Sequence, residues 1–383
     1  MSDPRIFFSA GETSGDLHAA ALAAAIRRRH PSAEFRGLGG PRLAAEGTGL
    51  VADLDRLAIV GFVEVLRHLP YFLRLRRRVV DEWARWRPDV VVCIDYPGFN
   101  LRLAKAAHAR GIPVLYYVAP QVWAWHRSRA RTLAEWTDAV AVVFPFEEAV
   151  LRSAGARAHF VGHPLVERAA SWPDRQTACR GLGLDPERPV LGLFPGSRRG
   201  EVRRLLTPFA AAARRLVQEN GRLQVRVARA SGLAEDLYRR EAGLATVEDA
   251  VALLCASTAA LVKSGTTTVE AALAGTPMVI AYRVNPLTYA IARRVVRVPH
   301  IGMVNLLAGR AVVPEFIQGA VRPRALARAL GPLLDVDSEA RRRMRGELET
   351  VRRGLGDAGA SERTADLVDE ILARRDTAGE VRA

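Results

Sequence analysis

Two stretches in the second half of the chain carry residue types that hold an anion. Pro195-Gly196-Ser197-Arg198 follows the apolar run Leu191 to Phe194 and precedes a helix-compatible segment with Glu201 in its first turn. The order predicts a buried strand, a Pro-Gly turn and a helix capped by Ser197. Such a junction aims backbone N–H groups and the positive end of a helix dipole at one point, where a diphosphate can sit. Arg198 adds a planar permanent charge there. The second stretch, Val262 to Met278, reads as strand, Ser264-Gly265-Thr266 turn and a short helix carrying Glu270. Two helix N-termini at one pocket would hold a diphosphate between them, with Glu270 on the ribose hydroxyls of a nucleotide sugar. Ordinary capped turns, with Arg198 at the surface and Glu270 stabilising its own helix, satisfy the same residues.

The first half offers a carboxylate and several clusters. Ile94-Asp95-Tyr96-Pro97 sets Asp95 at the end of a buried strand, where it can act as a general base or cap the next helix. Ser9 to Asp16 leaves the first strand with Gly11 and Gly15 open to a ligand and with Ser14 and Asp16 able to cap. Its spacing is neither a dinucleotide fingerprint nor a Walker loop. Gly37 to Pro41 adds a second glycine cluster that would line the same cleft. Tyr116 to Arg129 interleaves aromatic and basic residues, a surface suited to sugars, acyl chains or single-stranded nucleic acid. Gly61 to Val80 mixes large apolar residues with arginine, which fits either a bilayer contact or a core helix with a solvated basic face.

Alternating apolar runs and amphipathic stretches must position these residues. Strands are expected at Arg5–Ala10, Glu34–Leu38, Val90–Ile94, Val114–Val118, Ala139–Val143 and His159–Val161. After a Pro-, Arg- and Asp-rich connector they restart at Val190–Phe194, Leu223–Ala228, Ala259–Val262 and Pro277–Tyr282. Continuous apolar strands separated by helices imply parallel sheets covered on both faces. The expected fold is α/β, with two doubly wound lobes and a ligand cleft between them: 1–165, a linker at 166–189, and 190–345. A chain of 383 residues also suits two domains at roughly 100–200 residues each.

Composition bounds the partners. Lys and Arg total 56 against 41 acidic residues, a net charge of +15, which favours an anionic partner: nucleic acid, an acidic membrane or a phosphorylated substrate. Cys93, Cys179 and Cys255 match no disulfide framework or metal-ligand spacing. With no signal-peptide pattern and no apolar run of about 20 residues, a cytosolic protein is expected.

Taken together, the motifs resemble the lipid-A-disaccharide synthase family of GT-B-type glycosyltransferases. The matching stretches run in order from Ser9–Asp16 through Gly37–Pro41, Gly61–Leu66, Asp95–Asn100, Pro120–Trp125, Phe144–Glu147, Phe160–Pro164, Pro195–Arg198, Ser264–Glu270 and Asn305–Ala308 to Val313–Gln318. Ala119, Val60 and Val304 depart from the family's usual Ser, Met and Pro.

The resemblance implies two Rossmann-like lobes and transfer of diacylglucosamine from UDP-diacylglucosamine to lipid X, with inversion and release of UDP. It implies Asp95 as base, with Glu12 and His18 as rivals. Ser197, Arg198, Ser264, Gly265 and Thr266 would hold the diphosphate without a metal or other cofactor, and Glu270 the ribose. Asn305, Glu315 and Gln318 would lie near the donor. Ser14, Phe62, Tyr71, Phe72, Trp123 and Trp125 would face the acceptor or the membrane. A peripheral protein on the cytosolic face of a Gram-negative inner membrane follows, with residues 346–383 packing back on the first lobe, a homodimer allowed, and no nucleic-acid partner. A nucleic-acid-binding protein would instead be retained on heparin with a steep salt slope. A UDP-sugar epimerase or peptidoglycan-type transferase would share the second lobe but lack the first-lobe stretches.

Overall fold

The computed structural model describes residues 3–53, 69–122, 128–295 and 298–380. The chain divides into two compact units, Met1–Pro164 with Asp357–Ala383, and Leu165–Gly356.

The first unit is built on seven parallel strands: β1 Arg5–Ala10, β2 Glu34–Gly39, β3 Gly49–Asp53, β4 Val90–Ile94, β5 Val114–Tyr117, β6 Ala139–Val142 and β7 Ala158–Phe160. Their order is β3-β2-β1-β4-β5-β6-β7. Val90-Val91-Val92-Cys93-Ile94 is buried throughout, as a central parallel strand covered on both faces must be. One face packs the helix Leu69–Trp86 through Phe72, Leu75, Val79, Trp83 and Trp86, a 3–4 residue spacing that forms one apolar stripe. Phe7 meets Trp83 edge-on at 5.5 Å. The C-terminal helix Ala360–Glu380 belongs to this unit. Arg29 reaches Glu362, Asp366 and Asp369 on it at 2.9, 2.6 and 2.8 Å, and Arg363 Nε donates to the Val161 carbonyl at 2.8 Å.

The second unit carries six parallel strands: β8 Val190–Phe194, β9 Gln224–Ala228, β10 Thr246–Val247, β11 Ala259–Lys263, β12 Met278–Tyr282 and β13 Glu315–Ile317. They run in the order β10-β9-β8-β11-β12-β13. Two expected boundaries give way. Residues 166–189 are not a bare linker: they contain the helix Arg175–Gly181, and Ala178, Cys179 and Leu184 enter the second core. Position 345 falls inside the helix Glu339–Gly354, whose Met344, Leu348 and Val351 form an apolar stripe in that same core.

Both sheets are doubly wound and reverse strand order once, between β1 and β4 in the first and between β8 and β11 in the second. Crevices open at the carboxyl ends of the strands at such reversals, where ligands bind in open α/β sheets.

Candidate active site

At the first reversal Ala10 pairs with Ile94, so Gly11 and Asp95 leave neighbouring strand ends side by side. Asp95 and Tyr96 both take left-handed backbone, φ +46° and +48°, which costs free energy for residues with a Cβ. A polar frame holds them there. The Asp95 N–H donates to the Tyr117 carbonyl at 3.0 Å. Buried Asn100 donates through Nδ2 to the carbonyls of Ser9, Ile94 and Asp95 at 3.0, 3.0 and 2.9 Å. Its Oδ1 accepts from Ser9 Oγ at 2.6 Å, while Tyr116 OH donates to the Asp95 carbonyl at 2.7 Å. Tyr96 turns its ring over Gly11, where any Cβ would fall 2.3 Å from the ring, so only glycine fits.

Burial first, and the charge of Glu12 second, raise the Asp95 carboxyl to about 6. Glu12 occupies the N-cap of the helix Thr13–Arg29 without a side-chain capping bond, and Ser14 is exposed in its first turn. His18 lies one turn further, its ring 6.2 Å from Tyr117. His163 is a group that sequence reasoning left without a role. Buried 5.2 Å from the Phe144 ring, it is lowered to about 3 by burial and then by His18, and is therefore neutral near pH 7. Its signal was Gly162-His163-Pro164, a histidine between a left-handed glycine (φ +81°) and a proline.

Asp16 does not cap its own helix. Its buried carboxylate accepts from the N–H groups of Gly40, Arg42 and Leu43 at 2.7, 3.1 and 3.1 Å, capping the short helix Pro41–Ala45. Gly37 and Gly39 lie within β2, where a Cβ would strike the Phe8 carbonyl and Leu43, so they answer to packing.

Phe72, expected to face the acceptor or the membrane, is a buried core residue. It packs against Tyr96 at 6.5 Å and Phe99 at 6.0 Å, with Tyr71 half-buried at 5.6 Å. The exposed face of that helix carries Leu73, Arg74, Arg76, Arg77 and Arg78. Phe62, Trp123 and Trp125 lie outside the described residues. No described helix is long and apolar enough to cross a membrane. Among the described residues no three His, Cys, Asp or Glu side chains cluster as metal ligands.

At the second reversal Phe194 pairs with Val262, which brings the Pro195–Arg198 and Ser264–Thr266 turns together. The N-cap of the helix Arg199–Glu219 is Arg198, not Ser197. Ser197 is exposed one residue before it. Glu201, at the third helical position, accepts the Arg198 N–H at 3.4 Å. Gly196, at φ +112°, lies against that carboxylate, 2.4 Å from where a Cβ would stand. Lys263 Nζ sits 3.0 Å from Glu201 Oε1, a cation that site reasoning passed over because it ends an apolar strand. Gly265 takes φ +156° and ψ −161° ahead of the helix Thr266–Leu273, with Thr266 exposed at the helix start. Glu270 lies on that helix, its carboxyl raised by burial and partly offset by Arg168 and Thr267.

The remaining residues expected on the donor side are tied to neighbouring loops. Ser264 Oγ donates to the Ile301 carbonyl at 2.6 Å. Glu315 accepts from the Ile301 and Gly302 N–H groups at 3.0 and 2.9 Å and from Asn305 Nδ2 at 2.8 Å. Buried Asn305 also bonds the backbone of Val312 and Val313 at 2.8–2.9 Å. Gln318 pairs with both backbone groups of Val284 at 2.9 and 3.2 Å. These amides and this carboxylate tie together the loops 301–305 and 312–318.

The lipid-A-disaccharide synthetase family model matches residues 6–367. The chain belongs to the lipid-A-disaccharide synthase family. It is 43% identical over 376 residues to the lipid-A-disaccharide synthase of Myxococcus xanthus (strain DK1622), covering 96% of this chain and 98% of that one. Membership makes the protein a glycosyltransferase of lipid A biosynthesis. Two solved structures share the fold at low identity. One is UDP-GlcNAc 2-epimerase from Neisseria meningitidis bound to UDP-GlcNAc, with a TM-score of 0.65, 11% identity and coverage of 96% and 100%. The other is the calicheamicin glycosyltransferase CalG4, with a TM-score of 0.62, 19% identity and coverage of 98% and 99%. The expected GT-B architecture of paired Rossmann-like lobes is thereby borne out.

Proposed function

We propose that the protein transfers 2,3-diacylglucosamine from UDP-2,3-diacylglucosamine to the 6-hydroxyl of 2,3-diacylglucosamine 1-phosphate (lipid X). The acceptor oxygen bonds to the anomeric carbon with inversion, the bond to the diphosphate breaks with its electron pair, and the hydroxyl proton passes to Asp95. UDP leaves. The observation that carries this reading is the Asp95 carboxyl, fixed on left-handed backbone at a sheet reversal and raised to about 6. It is ionised near pH 7 yet more basic than an ordinary aspartate, which suits a general base. Glu12 acts on it through charge, and His18 lies beside the neutral His163.

On the donor side, Arg198 and the turns Pro195–Arg198 and Ser264–Thr266 offer charge and helix N-termini to a leaving diphosphate. Glu270 takes the ribose hydroxyls. The exposed Arg74, Arg76, Arg77 and Arg78 suit the anionic cytosolic face of an inner membrane, on which both acylated substrates would be met.

The test is UDP release measured with the acylated donor in the presence and absence of lipid X. Release should require lipid X, and unacylated UDP-GlcNAc should turn over far more slowly. Equal release without the acceptor would sink the reading.

A further inference from the structure

Glu201 is out of place at a diphosphate site. It is an acid under the Pro195–Arg198 turn, close enough to Gly196 that a Cβ there would collide with it. A bound diphosphate would repel it unless the surrounding cations are shared between the two anions. Two cationic side chains and a helix N-terminus surround this carboxylate. Lys263 Nζ is 3.0 Å from Oε1, Arg198 Nη1 is 3.9 Å from the same oxygen, and the helix N-terminus supplies the Arg198 N–H at 3.4 Å. Lys263 also stands 5.9 Å from the centre of the Tyr282 ring. A Cβ on Gly265 would lie 3.5 Å from its ammonium. The ammonium therefore lies between the two turns, partly open to solvent. An ammonium has three N–H donors, so a single contact with Glu201 does not exhaust it.

We propose that Lys263 is a ligand of the donor diphosphate and that Glu201 is its resting counter-ion, paired with the ammonium between the two turns until the diphosphate takes a share of it. This rests on the donor-site reading above. The bland alternative is a structural ion pair tying β11 to the helix Arg199–Glu219.

The two are separated by calorimetric titration of UDP, with uridine measured by displacement, on wild type, Lys263→Met, Lys263→Arg and Glu201→Gln. Expected are a roughly tenfold to hundredfold weaker UDP affinity in Lys263→Met with uridine unchanged, partial recovery in Lys263→Arg, and UDP binding at least as tight as wild type in Glu201→Gln. Equal weakening of UDP and uridine, unchanged UDP binding in Lys263→Met, or a Glu201→Gln loss as large as that of Lys263→Met would each overturn the proposal. If wild type does not bind UDP, the donor-site reading itself falls and takes this inference with it.

Discussion

The two sheets reverse strand order in the same way and furnish opposite chemistry at the reversal. The first presents two carboxylates: Asp95, on a left-handed backbone locked by Asn100 and Tyr116, and Glu12, at the extended N-cap of the helix Thr13–Arg29. The second presents cations, Arg198 and Lys263, beside Gly196, whose missing side chain lets its turn close on Glu201. Topology thus supplies a crevice, and the residues just past the strand ends decide its charge. The acidic reversal is suited to taking a proton, the basic one to keeping a leaving group.

The largest effect is expected at the acidic reversal. Asp95→Asn should lower transfer by roughly 10²–10⁴-fold while UDP binding stays intact. The same variant should be more stable than wild type. Because the folded pKa of about 6 lies above the ordinary aspartate value of 3.8, the fold favours the protonated form. Stability falls as pH rises through that window, and above it the charge costs about 1–3 kcal/mol. Thermal denaturation at pH 8 should therefore show a higher midpoint in Asp95→Asn, and a lower one would mean that the carboxylate is structural. At the basic reversal, Arg198→Ala should reduce kcat/KM by roughly 10–100-fold. The acidic limb of its pH profile should stay in place, since Asp95 is untouched.

A third change tests the frame rather than the charge. Asn100→Ala removes an NH2 group shared among three carbonyls and one accepted bond from a fully buried site. A loss of about 2–4 kcal/mol in urea unfolding is expected. The left-handed backbone at Asp95 should relax with it, so activity should fall further than stability alone explains.

The sequence announced the central strands because Val90–Ile94 and Val190–Phe194 are unbroken apolar runs, the pattern forced on a strand covered on both faces. It did not announce β3, β10 or β13. Edge strands such as Thr246–Val247 and Glu315–Ile317 are only half-buried and carry no such run. Asp16 reads as a local cap, yet its partners lie 24 to 27 residues away. Gly61 to Val80 reads as either a bilayer contact or a core helix, and its composition does not say what covers Phe72, expected against the acceptor or the membrane, which Phe99 and Tyr96 bury. Asn305, Glu315 and Gln318 are near-neighbours in sequence with ligand-like side chains. Their hydrogen bonds close loops onto partners that nothing in their spacing marks.

The smallest expected effect is the one that most sharply separates the two carboxylates. If Asp95 is the base, Glu12 contributes a like charge that helps to raise its pKa. Glu12→Gln removes that charge and leaves burial, the larger cause, in place. The Asp95 carboxyl should then ionise at lower pH, and the acidic limb of kcat/KM, near pH 6 in wild type, should move down by up to about one unit with the plateau largely preserved. If Glu12 were itself the base, the plateau would collapse and the Asp95→Asn variant would keep its rate. A profile of kcat/KM from pH 5 to 9 on both variants distinguishes these outcomes. A limb displaced upward in Glu12→Gln would contradict the like-charge coupling between the two groups, and with it the account of why this end of the first sheet is suited to accepting a proton.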